Sequence, residues 1–195
     1  MTVAPWLLLE TLLLCAGLGV WCAWQGAFRA LLVCVHLVLA GLIAFNFAEP
    51  IAAGLASLGG DMEYLADGLV YGVLFLGALA ALVGMAMLLI QEEPSLAPTA
   101  DRVTGAVAGA VAGYLLAGIL GAVYQTLPGA SSAWCSAPQG PVQPWMPDRV
   151  WLGLVRHASE EVFDYLDPNP FDPDRYLRYY WDRTGRGSPV ERPAQ

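Results

Sequence analysis

Apolar and polar positions fall in long blocks along this chain. Four apolar runs, at about residues 6–24, 28–47, 67–90 and 103–126, are parted by shorter polar stretches. Each run is near or above the roughly 18 residues needed to cross about 30 Å of hydrocarbon. The second contains Leu31, Leu32, Val33, Val35, Leu37, Val38, Leu39, Leu42, Ile43 and Phe45, each favouring insertion by roughly 0.3–0.6 kcal/mol near a helix centre. One histidine, His36, does not outweigh them. Glu10 interrupts the first run about one turn from its start, where a side chain can reach the headgroups. The pattern predicts an all-α integral membrane protein: four transmembrane helices in two hairpins, then a short amphipathic helical C-terminal tail.

The connections define the layout. Only a few residues around Gln25 and Gly26 join spans one and two, which implies a tight antiparallel hairpin. Between spans two and three, Ile51 to Leu58 is too short to cross and reads as a short interfacial helix after Pro50. Pro94 and Pro98 mark a polar turn before span four, whose start Asp101 is placed to cap. Residues 128–147, with Pro138, Pro141, Pro144 and Pro147, read as an irregular linker.

Residues 148–184 form the tail, and 185–195 are expected to be disordered. Trp151, Leu154, Val155, Ala158 and Val162 recur at helical spacing. Asp172 and Pro173 then open a second helical stretch with Tyr176, Tyr179, Tyr180 and Trp181. So small a tail has no core of its own, and its apolar face needs the membrane surface, the bundle or another protein. Trp151, Val155, Val162, Tyr176, Tyr180 and Trp181 are the expected contact surface for a protein partner.

Small residues recur every fourth position in span four: Gly105, Gly109, Gly113, Ala117 and Gly121. Between membrane helices the apolar effect contributes little, so close backbone approach and dispersion must hold them together. Span three carries Gly68, Gly72, Gly77, Ala81 and Gly84. A tight pair of spans three and four is the simpler account, with association between chains, and hence a homo-oligomer, as the alternative.

Composition agrees with a lipid medium. The chain is 57% hydrophobic and 13% charged, against about a quarter charged in soluble domains. Its net charge of −8, with every basic residue an Arg, argues against nucleic acid as a partner. Cys15, Cys22 and Cys34 lie inside spans and Cys135 outside, so no disulfide follows. A cleaved signal is not expected, since no Lys or Arg precedes the first run and Trp21 and Trp24 stand where small residues would be needed. Lipidation at Cys15 is disfavoured by the bulky Leu14 before it.

Candidate chemistry is sparse. Glu10 and His36 are ionisable groups within spans, but about 9 Å apart in height at 1.5 Å per residue. A neutral His36 hydrogen-bonded inside the bundle is the simpler reading than a proton relay. His157 with Glu160 or Glu161 has metal-ligand spacing, yet no further His or Cys pair completes a site. No catalytic constellation and no cofactor site is recognisable. Arg29, Arg102, Glu92, Glu93 and Asp101 should share one membrane face, and at least one Arg is expected to pair with an acid there. Arg29 and Arg102 put that face in the cytoplasm and both termini outside by the positive-inside bias.

The first turn Gly26-Ala27-Phe28-Arg29, the Asp101-Arg102-Val103 entry into Gly105, Gly109 and Gly113, and the four-span layout together resemble the colicin V production protein (CvpA) family over roughly residues 5–126. The chain departs from it at Gln25 and Ala30, where members often carry a base and an acid. The resemblance implies a bacterial inner-membrane protein linked to toxin production or export and to envelope homeostasis. Similar four-span modules fused to trypsin-like protease domains imply an anchoring or regulatory role. The expectation is a non-enzymatic accessory or scaffold working through its tail, with a small-solute transporter or channel subunit as the alternative.

Overall fold

The computed structural model describes residues 5–56, 62–90, 97–127, 142–162 and 172–183. Within them the chain forms α1 (Pro5–Gln25), α2 (Ala27–Ala56), α3 (Met62–Leu89), α4 (Pro98–Tyr124), α5 (Pro147–Val162) and α6 (Pro173–Arg183). No strand occurs among these residues. The first four helices are long and apolar enough to cross a membrane. Leu12 and Leu13 of α1, and Val73, Leu76, Leu88 and Leu89 of α3, remain exposed. Such an apolar belt is a liability in water and the normal surface in lipid.

Gly26 sets the path of the chain. Its φ of 91° is left-handed, a conformation open to glycine without strain. Its amide donates to the Cys22 carbonyl at 3.0 Å, closing α1, and its own carbonyl accepts from Ala30 N at 3.1 Å, opening α2. From this one-residue turn α1 and α2 diverge, and α4 lies between them, packed on both. α3 packs on α2, and α5 packs chiefly on α4. The spatial order is therefore α1, α4, α2, α3. Gly26 and the start of α4 share one end of the bundle, the turn end; the C-terminus of α4 and both tail helices are at the other, the tail end.

Two expectations are corrected. Of the segment Ile51 to Leu58, the described part, residues 51–56, is not a separate interfacial helix, because α2 runs unbroken through Pro50 to Ala56. Proline removes one helical hydrogen bond, but Ala40, Ala44, Ala48 and Ala52 form a buried ladder that continues past it. That ladder belongs to one core cluster with Val70, Tyr71 and Phe75 of α3 and Ala112, Ile119 and Ala122 of α4. Packing of this kind outweighs a local lost bond. The second correction concerns partners: α4 packs mainly on α1 and only slightly on α3.

Candidate functional site

The stripe on α4 faces the backbone of α1. A Cβ at Gly105 would lie 2.6 Å from the Cys22 carbonyl oxygen, and one at Gly113 would lie 2.5 Å from that of Leu14. Gly109 is pressed as closely on the Leu18 carbonyl. Four residues along α4 thus match four in reverse along α1, an antiparallel register in which carbonyl oxygens of one helix stand over glycines of the other. Gly19 reciprocates from α1, where a Cβ would be 3.3 Å from Ala106 O and 3.8 Å from Ala110 Cβ. Ala117 is buried, and a Cβ at Gly121 would be 3.1 Å from Asp148 Cβ and 3.2 Å from Leu7 Cδ1. Gly72, Gly77 and Gly84 of α3 have open space where a Cβ would stand, so they are not packing residues of this fold. Gly68 differs, because a Cβ there would be 2.5 Å from Leu127 Cδ2 at the end of α4.

Asp101 does not cap its own helix. α4 starts after Ala97 with no side-chain cap and with proline in its first turn. The Asp101 Oδ1 instead accepts from Ala27 N at 2.9 Å, satisfying an orphan amide of α2 and placing negative charge at the start of two helices. A Cβ at Gly26 would stand 2.6 Å from Asp101 Oδ2. Glycine there serves both the backbone conformation and the approach of this carboxylate. The tie between the hairpins is therefore carboxylate to backbone. Arg29 Nη1 donates to Gln25 Oε1 at 2.7 Å, Arg102 is exposed, and Glu92 and Glu93 lie outside the described residues.

The tail is built into the bundle. Trp151 and Val155 are fully buried, and Tyr176 and Tyr180 nearly so, which removes them as a surface for another protein. The side chains of Val162 and Trp181 lie outside the described residues. Trp151 fills a hole between Gly41 of α2 and Gly118 of α4, where a Cβ would meet its ring or its Cβ. Its Nε1 is buried with no hydrogen-bond partner among the described residues. Phe45 packs on Tyr71 with centroids 4.8 Å apart, and on Trp151 and Tyr176 at 6.0 and 6.1 Å, joining α2, α3, α5 and α6.

Polar bonds lock the same junction. Buried Gln125 Nε2 donates to buried Asp148 Oδ2 at 2.9 Å, and the Tyr176 hydroxyl donates to Ala122 O at 3.0 Å. Arg149 meets Asp174 at 3.4 Å, linking α5 to α6. Burial, then the neighbouring Tyr71 and Asp67, pushes the Tyr180 phenol above its usual range. The Tyr114 hydroxyl, near the middle of α4, donates to Pro144 O at 2.8 Å. Pro147 O lies against Gly118, six residues or about 9 Å before the end of α4. The chain therefore re-enters the bundle at depth. Its prolines suit that position, since Pro144 and Pro147 bring no N–H that needs a partner in hydrocarbon.

The remaining sequence candidates stay apart. Among the described residues no hydrogen bond or ion pair joins Glu10 to His36. His36 lines a cavity of 460 Å³ at the turn end, together with Trp21, Gln25, Phe28, Arg29, Val83 and Met87 among others. The side chains of Glu160 and Glu161, and Cys135, lie outside the described residues. Sequence reasoning missed the Trp151 hole, the Gln125–Asp148 pair and the cavity. Gly118 stands one place off the four-residue stripe, and that offset was the available sign of a second neighbour.

Four long apolar helices with a backbone-to-backbone glycine interface define a multi-pass helical membrane protein. The chain matches the colicin V production protein family over residues 9–138. It belongs to that family. No curated protein and no solved structure matches it.

Proposed function

We propose that this chain is a non-catalytic accessory or scaffold of the bacterial inner membrane, serving the toxin production or export and the envelope homeostasis with which its family is associated. The observation that carries the reading is the docked tail. With its apolar face spent on the bundle, the tail holds Arg156, His157, Arg175, Arg178 and Tyr179 outward at the tail end. Exposed Asp172 and Asp174 share this rim, whose arginines and Tyr179 suit an acidic protein segment beside the membrane. Arg29 and Arg102 favour a cytoplasmic turn end, so the rim and both termini face the periplasm.

A photo-crosslinker at Tyr179, compared with one at lipid-facing Val73, tests the reading. The expected result is a protein adduct at Tyr179 alone, lost when Arg175 and Arg178 become Glu. Equal adducts at both positions, or none, would overturn it. Thiol labelling of Cys135 from outside intact spheroplasts is the expected result for the orientation; labelling only after lysis would reverse it.

The alternative, a small-solute transporter or channel subunit, draws on the cavity at His36. It has less support, because all four long helices run unbroken, and transport sites usually involve interrupted spans. Every cavity residue lies in the half of its helix nearest the turn end.

A further inference from the structure

Three helices each turn one face to the cavity at the turn end. Gln25 of α1, Arg29, Leu32 and His36 of α2, and Val83 and Met87 of α3 lie along its length. Spacings of three, four and seven residues keep the α2 and α3 sets on one side of their helices. Arg29, at the mouth, is exposed. His36 is ten residues beyond Gly26, about 15 Å in at 1.5 Å per residue, or half of the roughly 30 Å of hydrocarbon. Its ring is half-buried, and among the described residues it makes no hydrogen bond and no ion pair. The bond expected for it inside the bundle is therefore not formed by those residues. An imidazole carries a donor and, when neutral, an acceptor, and hydrocarbon offers a partner to neither.

We propose that this cavity is a water-filled crevice, open to solvent at the turn end and closed at mid-membrane, which brings small hydrophilic solutes from that side to His36. Water both donates and accepts, so it can serve both nitrogens of the ring. A lipid acyl chain does neither, and the headgroups lie about 15 Å away. The volume of 460 Å³ gives room for on the order of ten waters at about 30 Å³ each. Purely apolar cavities stay dry, but Gln25 and Arg29 at one end and His36 at the other anchor a column of water. Ionisable side chains inside a membrane characteristically face such water. Among the described residues, none that lines the cavity belongs to the tail-end half of its helix, so access is from one side. The crevice is independent of the docked tail and adds a one-sided solute site at the opposite end of the bundle.

Cysteine accessibility in membranes tests this, in the full chain with its four native cysteines replaced. His36→Cys and Val35→Cys differ by one residue in depth, but Val35 is exposed on α2 and does not line the cavity. Arg102→Cys marks the turn end. Two membrane-impermeant methanethiosulfonates, one anionic and one cationic, are applied to each face in turn. Both are expected to label His36→Cys from the face that labels Arg102→Cys, roughly tenfold or more faster than Val35→Cys, because the reactive thiolate forms where water reaches the thiol. Leu32→Cys, about 9 Å in, should label from the same face, and it decides the matter if His36→Cys does not fold. Equal rates at the cavity position and at Val35→Cys, no labelling at either, or labelling from the opposite face overturns the proposal.

Discussion

α3 and α4 are both rich in glycine, and they use it in opposite ways. On α4, Gly105, Gly109 and Gly113 each lie under backbone of α1. On α3, Gly72, Gly77 and Gly84 face open space while large apolar neighbours point to lipid. Both stripes permit close approach. Only α4 meets a helix whose backbone follows it in register, because the single-residue turn at Gly26 throws α2 away from α1 and leaves a gap that a thin helix can fill. A glycine stripe therefore reports a capacity, and the connection lengths decide where it is used.

Substitutions separate the two helices by size of effect. Gly113→Leu should cost the most, above about 4 kcal/mol, because backbone atoms of α1 occupy the space; its monodisperse peak on size exclusion in detergent should be lost. Trp151→Ala should cost roughly 3 kcal/mol, the low end for a large aromatic, since lipid weakens the solvent contribution. Trp151→Phe keeps one six-membered aromatic ring and drops the pyrrole with its unpartnered N–H, so its thermal midpoint should fall less. Gln125→Leu removes one hydrogen bond from the buried Asp148 carboxylate and should cost about 1–2 kcal/mol, visible as earlier proteolysis of the tail. Asp101→Ala removes the cap on α2 for about 1 kcal/mol, and Asp101→Asn should restore most of it. Gly77→Leu should change the melting midpoint least, by under about 0.5 kcal/mol. A Gly77→Leu loss as large as that of Gly113→Leu would erase the contrast between the helices.

Much of this architecture was legible in the chain. Run length and apolarity were enough for four membrane helices, and Gly26 and Asp101 stood out as turn residues. What could not be read was pairing. The α4 stripe specified small residues without naming α1, since α1 contributes carbonyls at Leu14, Leu18 and Cys22, which no side-chain pattern reveals. Asp101 carried the residue type of a cap, but its nearest orphan amide in space was Ala27 on another helix. The tail's aromatic face was visible as an amphipathic stripe. Its partner was the bundle, because Gly41 and Gly118 leave room for one indole.

The register of α1 on α4 is the claim on which the rest stands, and a disulfide tests it directly. In a chain with its four native cysteines replaced, Gly19→Cys with Ala110→Cys puts two Cβ atoms near the 3.8 Å that the Gly19 position gives to Ala110 Cβ, within the range a disulfide spans. Mild oxidation in membranes should link that pair within one chain and leave Gly77→Cys with Ala110→Cys unlinked. Crosslinking of the second pair in place of the first would put α3, not α1, against the glycine face of α4 and contradict the account.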